Sequence, residues 1–384
     1  MDLHRWRVAF AIIWQRRGLP SRPLADRFRR VTTGVSPDTQ ATLLLTAPLT
    51  TTAKAPADAL LKPAEFRKVQ DRVANSGHAL GDFLGKDASP LVDAYDDLVP
   101  ASRLRDLLGR GFRLAQALDQ WSARSIWVIG VTDNAYPSRL RTHFGNDAPP
   151  LLYGCGNPDL LEAGGLAVVG SRDCDEETLV WTTEVGRRAA RSRCQIVSGG
   201  ARGVDITAMA GALDAGGTAC GVLADTLYRD VLDATYRDHL QGGTLVLISP
   251  NDPRQRFFAS LRMQRNKYVY ALSDTALVVA TGMKQGGTWA GADEQLRRLR
   301  HVPVYVRVPP QPSPGLSALE RLGARPWPEP ATPLQFARLV RNTPPGGPAA
   351  EIPKIPETST ASDGAPVEAP ATPPAAIQRS LFEL

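Results

Sequence analysis

Four cysteines in 384 residues leave little room for cysteine-based structure or chemistry. Cys155, Cys174, Cys194 and Cys220 form no Cys-x-x-Cys pair, and their spacing suits neither a zinc site nor a disulfide framework. The five histidines, His4, His78, His143, His239 and His301, are scattered and make no ligand cluster. No metal or other cofactor is therefore expected. No run of about 18 uncharged apolar residues occurs, which excludes a membrane-spanning helix. Also missing are a Ser-His-Asp set and a poised pair of carboxylates, so binding is expected rather than catalysis. What remains is a reduced, cytoplasmic protein, with 43% apolar residues to build a core.

The net charge of +6 misleads about partners. Residues 1–34 alone hold eight arginines against two aspartates, and residues 343–384 hold two cations against five acids. The body between is only mildly basic, so nucleic-acid binding has to come from a local patch. Three readings compete for residues 1–34: a basic arm, a transit-like segment interrupted by Pro20, and an over-extended start with translation beginning near Val35.

Residues 35–124 read as a small helical domain. LKPAEFRKVQDRVANSG and RLRDLLGRGFRLAQALDQW carry apolar residues at three-to-four spacing. From SIWVIGV (125–131) an alternating pattern begins and runs to about 330. LAVVG (166–170), CQIVSGG (194–200), TACGVLA (218–224), TLVLIS (244–249), ALVVA (276–280) and VPVYVRV (302–308) are short apolar runs parted by helix-length polar stretches. Near-continuous apolar strands alternating with helices imply an α/β, Rossmann-like parallel sheet covered on both faces. A short helix or connector is expected over 331–342. Residues 343–377, rich in Pro, Ala, Thr and Glu, read as a disordered linker, because they cannot bury enough apolar surface. The chain then ends on a short apolar peptide, 378–384.

Four places have the makings of a binding site. At VVGSR (168–172) a strand ends on Gly170, and Ser171 and Arg172 open the turn before a helix, where N–H groups and the helix N-terminus favour an anion. Arg172 adds a guanidinium fork for phosphate. At VSGGARGVD (197–205), Ser198, Gly199 and Gly200 allow close backbone approach, Arg202 brings charge, and Asp205 suits a helix cap. In DPRQRFFASLRMQRNK (252–267) no acid follows Asp252, and Arg254, Arg256, Arg262, Arg265 and Lys267 lie around Phe257 and Phe258, with Asn266 between the last two cations. Cations track a phosphate backbone and aromatics stack bases; a solvated basic helix face with two core phenylalanines fits the same pattern. Gly286, Gly287 and Thr288 form a further turn that either cradles a phosphate or caps a helix.

Taken in order, VVGSR, SGGARGVD, QRNKYVYALSD (264–274), ALVVA and GGTWAGA resemble the DNA-processing protein A (DprA/Smf) family. The lead-in RGFRLAQALDQWSARSIWVIGVTDNAYPSRL with PPLLYGCGN is similar as well, so the resemblance spans about residues 105–325. It implies a homodimer that binds single-stranded DNA and passes it to RecA in recombination and transformation, with Arg172, Arg202, Arg265 and Lys267 on the strand. The sequence departs from the pattern in four ways. Ala208-Met209 stands where the family has Ala-His, and Lys267 where it has Arg. Gln285-Gly286-Gly287-Thr288 replaces a Ser-Gly-rich turn, and the linker replaces the winged-helix-like tail of some members. These departures suit a divergent paralogue, such as those found in phage-defence or toxin–antitoxin operons, where the partner is a toxin. A second resemblance, to the fold-related lonely guy nucleotide hydrolases, is partial: Gly286-Gly287-Thr288 and Glu294 only echo their PGGxGTxxE turn. Finally, Gln378, Ser380, Leu381 and Phe382 resemble the bacterial pentapeptide that docks on the DNA polymerase sliding clamp. Leu381 and Phe382 folding back as a C-terminal anchor is the competing expectation.

Overall fold

The structure, a computed structural model, describes residues 34–49, 60–224, 227–254, 259–311 and 313–341, with only the backbone for 259–263. The Arg-rich leader up to residue 33, Arg256, Phe257, Phe258, the side chain of Arg262, the linker over 343–377 and the peptide over 378–384 lie outside the described residues.

The chain first builds a helical layer from α1 (Pro37–Thr46), α2 (Pro63–Ser76), α3 (Ser89–Asp93), α4 (Ala101–Leu108) and α5 (Gly111–Ser122). Its own core joins Leu45, Phe66, Val69, Phe83, Tyr95 and Leu104. Ser36 caps α1, accepting from the Thr39 N–H, and donates to Asp133 at 2.6 Å. Asp133 also accepts from the Thr39 hydroxyl and the Gly130 N–H, both at 2.8 Å. One carboxylate thus fastens the helical layer to the sheet, using charge-assisted bonds that are stronger than neutral ones.

The sheet elements follow: β1 (Trp127–Gly130), α6 (Ser138–Phe144), β2 (Leu151–Gly156), β3 (Leu166–Gly170), α7 (Glu176–Arg191), β4 (Ile196–Ser198), α8 (Val204–Asp214), β5 (Ala219–Val222), α9 (Leu227–Asp230), α10 (Ala234–Gln241) and β6 (Leu245–Ser249). They continue with α11 (Ala259–Ala271), β7 (Thr275–Ala280), α12 (Gly286–Glu294), β8 (Val304–Val306), α13 (Pro314–Arg321), β9 (Arg325–Pro326) and α14 (Pro333–Val340). Among the described residues one nine-stranded sheet forms, in the order β1-β2-β6-β5-β4-β3-β7-β8-β9.

The α/β class expected from the apolar runs is what the fold shows. Strands β3 to β8 pair in parallel, and each lies within one of the runs read above, except that β7 starts one residue earlier, at Thr275. Both faces are buried, as such runs require: Leu166 and Val168 enter one core, Ala167 and Val169 the other. Strands β1 and β2 extend the sheet antiparallel beyond β6; β2 falls in the segment read only as a lead-in. The parallel strands run outward from β3 through β4 and β5 to β6, then return to the far side of β3 with β7. That reversal makes β3/β7 the topological switch point. In open α/β sheets, ligands bind beyond the carboxyl ends of the strands at this point.

Candidate functional site

The switch point brings three glycine turns together. Gly170 ends β3, and its carbonyl accepts from the Thr288 hydroxyl at 2.9 Å, which ties the turn opening α12 to the turn after β3. The turn after β4 packs on the same spot. Gly203 has φ +85°, and a Cβ there would stand 2.5 Å from the Ser171 carbonyl oxygen and 2.7 Å from that of Arg172. Only glycine accepts both the conformation and the approach. Arg172 and Arg202 therefore stand on adjoining turns of one sheet edge, and both are exposed. Asn266 on α11 donates to the Gly287 carbonyl at 2.9 Å, linking that helix to the third turn.

Beneath the turns the chemistry differs from the simple anion cradle read in the sequence. The N-cap of α8 is Gly203, and Asp205 lies inside the helix, so it does not cap it. Its buried carboxylate accepts from the Ala201 N–H at 3.4 Å. Burial drives its pKa up, while Arg265 and the backbone N–H groups of Ala201, Gly170 and Gly199 pull it down. The N–H groups of the first two turns thus point at the protein's own carboxylate. The side chains of Ser171, Arg172 and Arg202 lie on these turns, and the Ser171 hydroxyl donates to the Asp173 carbonyl at 3.0 Å.

The four sequence-read strand cations stand in four different settings. Arg265 is 5% exposed, its Nη1 lies 3.9 Å from Asp205 Oδ2, and it is packed so closely beneath Gly199 that a Cβ there would fall 1.3 Å from it. It is a buried counter-charge under the turns. Arg202 is ion-paired with Asp173, whose side chain is 84% exposed. Arg172 stands exposed at the turn. Lys267 is not brought to this edge. Its ammonium lies 5.0 Å from the Tyr268 ring and 5.3 Å from Phe144, facing the helical layer, and burial lowers its pKa. Ser198 donates to the Val168 carbonyl at 2.6 Å and serves to lock β4 to β3. Asp205 and Asp173 are site-edge residues that the sequence did not point to as ligand-binding or controlling groups.

A family model described as DNA recombination-mediator protein A matches residues 127–332, more than half of the chain. The chain belongs to that family. DNA processing protein DprA of Streptococcus pneumoniae is 31% identical over 161 residues, covering 41% of this chain and 55% of that protein, so the match spans little more than half of the curated relative. A crystal structure of DNA processing protein A from S. pneumoniae superposes with a TM-score of 0.55 at 22% identity, covering 70% of this chain and 91% of that one, and shows the shared fold. DNA processing protein A from Helicobacter pylori, for which a single-stranded DNA binding mode is described, matches with a TM-score of 0.45 at 22% identity over 56% of this chain and 96% of that one. Among the described residues no helix is long and apolar enough to cross a membrane.

Proposed function

We propose that the protein acts by binding single-stranded DNA at the switch-point edge, as a mediator of DNA processing and recombination, without bond-making chemistry of its own. The observation that carries this reading is the meeting of the β3 and β4 turns, which sets the exposed Arg172 and Arg202 side by side over three glycine turns. Guanidinium groups on a permissive backbone edge grip phosphates without reading bases.

Handing the strand to RecA and pairing as a homodimer are finer readings of this function; partnering a toxin in a defence operon is an alternative to it. The motif at Gln378–Phe382 adds a sliding-clamp contact, tested by binding a peptide of residues 374–384 to purified clamp: no binding sinks it. The central experiment is a mobility shift across a salt series. Single-stranded oligonucleotide is expected to bind better than duplex, with affinity falling steeply with salt. Arg172→Ala is expected to weaken binding and flatten the log–log salt slope by roughly one unit. Equal affinity for duplex and single strand overturns the reading.

A further inference from the structure

A cavity lies between the helical layer and α11, and Arg265, beneath the glycine turns, forms part of its wall. It encloses about 670 Å³ and is lined by Phe66 and Arg67 of α2, by Phe144 and Asn146 to Leu151, by Pro250 to Asp252 beyond β6, and by Gln264, Lys267 and Tyr268 of α11. That volume is in the range of small-molecule sites, roughly 300–1,000 Å³. We propose that this cleft holds one nucleoside-phosphate unit, with its phosphate on Lys267 and its base against the aromatic wall.

The charge arrangement points to an anion. Lys267 is half-buried, and burial pushes its pKa down; Glu294 opposes that push and Arg298 adds to it. Its acidic neighbours are already engaged, Glu294 with Arg298 and Asp147 with Arg67. Asp252, at the cavity wall, accepts from the Arg254 N–H at 2.9 Å, and burial pushes its pKa up while Arg254 pulls it down. A partly desolvated ammonium held by its stem over two rings gains more from an incoming phosphate than a fully hydrated one does.

The remaining wall suits a base. Phe144 and Tyr268 meet edge to face with centroids 5.3 Å apart. Gln70, Asn146 and Gln264 supply amide donors and acceptors around this apolar wall. Such groups orient a ring that the aromatics hold by contact area.

The nucleoside phosphate has two sources, a free mononucleotide or one unit of a DNA strand. Helix α11 carries Asn266 to the glycine turns and Gln264 and Lys267 to the cleft. A strand lying on the switch-point edge therefore reaches the cleft by crossing a single helix. For the strand source the inference rests on the function proposed above; for the free nucleotide it does not.

The test titrates the full chain with thymidine monophosphate, adenosine monophosphate and a labelled oligothymidylate. It compares wild type with Lys267→Gln, which removes the charge, Gln264→Trp, which fills the space, and Arg172→Ala, which touches only the glycine edge. Circular dichroism checks that each variant is folded. Both cleft variants are expected to lose at least about tenfold in affinity, the scale of one charge-assisted contact. Loss of mononucleotide binding identifies the free ligand as the source, and loss confined to the oligonucleotide identifies the strand. If oligothymidylate fails to bind while mononucleotide binds and is lost in the cleft variants, the strand-binding function falls and the pocket stands. If Arg172→Ala loses the oligonucleotide while both folded cleft variants keep every probe within about twofold, the pocket falls and strand binding stands. Wild type that binds none of the probes overturns both.

Discussion

Over β3 and β4 the carboxyl margin of the sheet is bare backbone, with glycine turns, exposed arginines and a buried carboxylate beneath. Over β6 and β2 the same margin is roofed by the helical layer, and its walls are aromatic side chains and a half-buried lysine. The bare stretch fits the proposed binding of a long, interchangeable polyanion. The roofed stretch is suited to one unit of defined size. The contrast also separates two kinds of cation: Arg172 gives up little hydration by staying exposed, whereas Arg265 and Lys267 are desolvated by their positions and depend on what they face.

The sharpest break in this contrast comes at Arg265. Sequence spacing alone presents it as a removable strand contact, but the fold makes it the counter-charge of Asp205, each side chain being under a tenth exposed. Arg265→Ala leaves a buried carboxylate without its cation, a change that costs about 3–5 kcal/mol in comparable sites. Urea unfolding at neutral pH is expected to show that loss at unchanged m-value, and Asp205→Asn in the same chain is expected to recover part of it. A variant as stable as wild type shows that Arg265 is not holding the turns.

The burial of Arg265 was legible in principle. It shares a helical stripe with Val269, four residues on, which is fully buried. Periodicity places Arg265 on the inner face; the density of charge around it argued for the surface. The parallel strands were readable because each is a closed apolar run between polar stretches. Strand β2 was not, because Leu151–Gly156 takes its role from pairing with β1 and β6, which local pattern does not encode. Arg172 and Arg202 were readable as a type of residue at a type of turn. That their turns meet depends on Gly203 lying against Ser171, a tertiary contact. That Gly170 and Gly199 aim their N–H groups at Asp205 depends on the same packing.

Acidity separates the two stretches by sign. Beside the cleft, His143 and His301 stack with ring centroids 4.2 Å apart, and Phe144 lies 5.2 Å from His301. Burial, then His143, lowers His301 from its ordinary 6.5 to about 4. Between those values the unfolded chain binds the proton more tightly than the folded one. The His301 contribution is therefore whole above pH 6.5 and lost as pH falls towards about 4. Asp205 works the other way: burial raises its pKa, so the folded chain binds its proton more tightly. Its contribution is present in acid and lost as pH climbs above the ordinary carboxylate value of 3.8. His301→Gln is expected to flatten the loss between pH 6.5 and 4 in a series of urea midpoints. A wild-type profile that is level across that window, or one the substitution leaves unchanged, removes the histidine pair from the account.

The smallest effect isolates the bare edge. Asp173 stands at the same turn as Arg172, with its side chain 84% exposed, and is ion-paired with Arg202. An arriving phosphate competes with that carboxylate for the guanidinium, so part of the gain from binding is offset by breaking the pair. Exposed pairs of this kind are worth about 0.2–1 kcal/mol. Asp173→Asn keeps the shape and removes the competing charge. Affinity for single-stranded DNA is expected to rise by roughly 1.5- to 5-fold at low salt, with the gain shrinking as added salt screens the pair. Mononucleotide binding at the roofed cleft is expected not to move, since Asp173 does not line it. The two readouts give opposite answers only if the stretches are independent sites. A gain at both joins them into one electrostatic surface, and a fall in strand affinity means that Asp173 holds Arg202 in its binding position, so the ion pair belongs to the site.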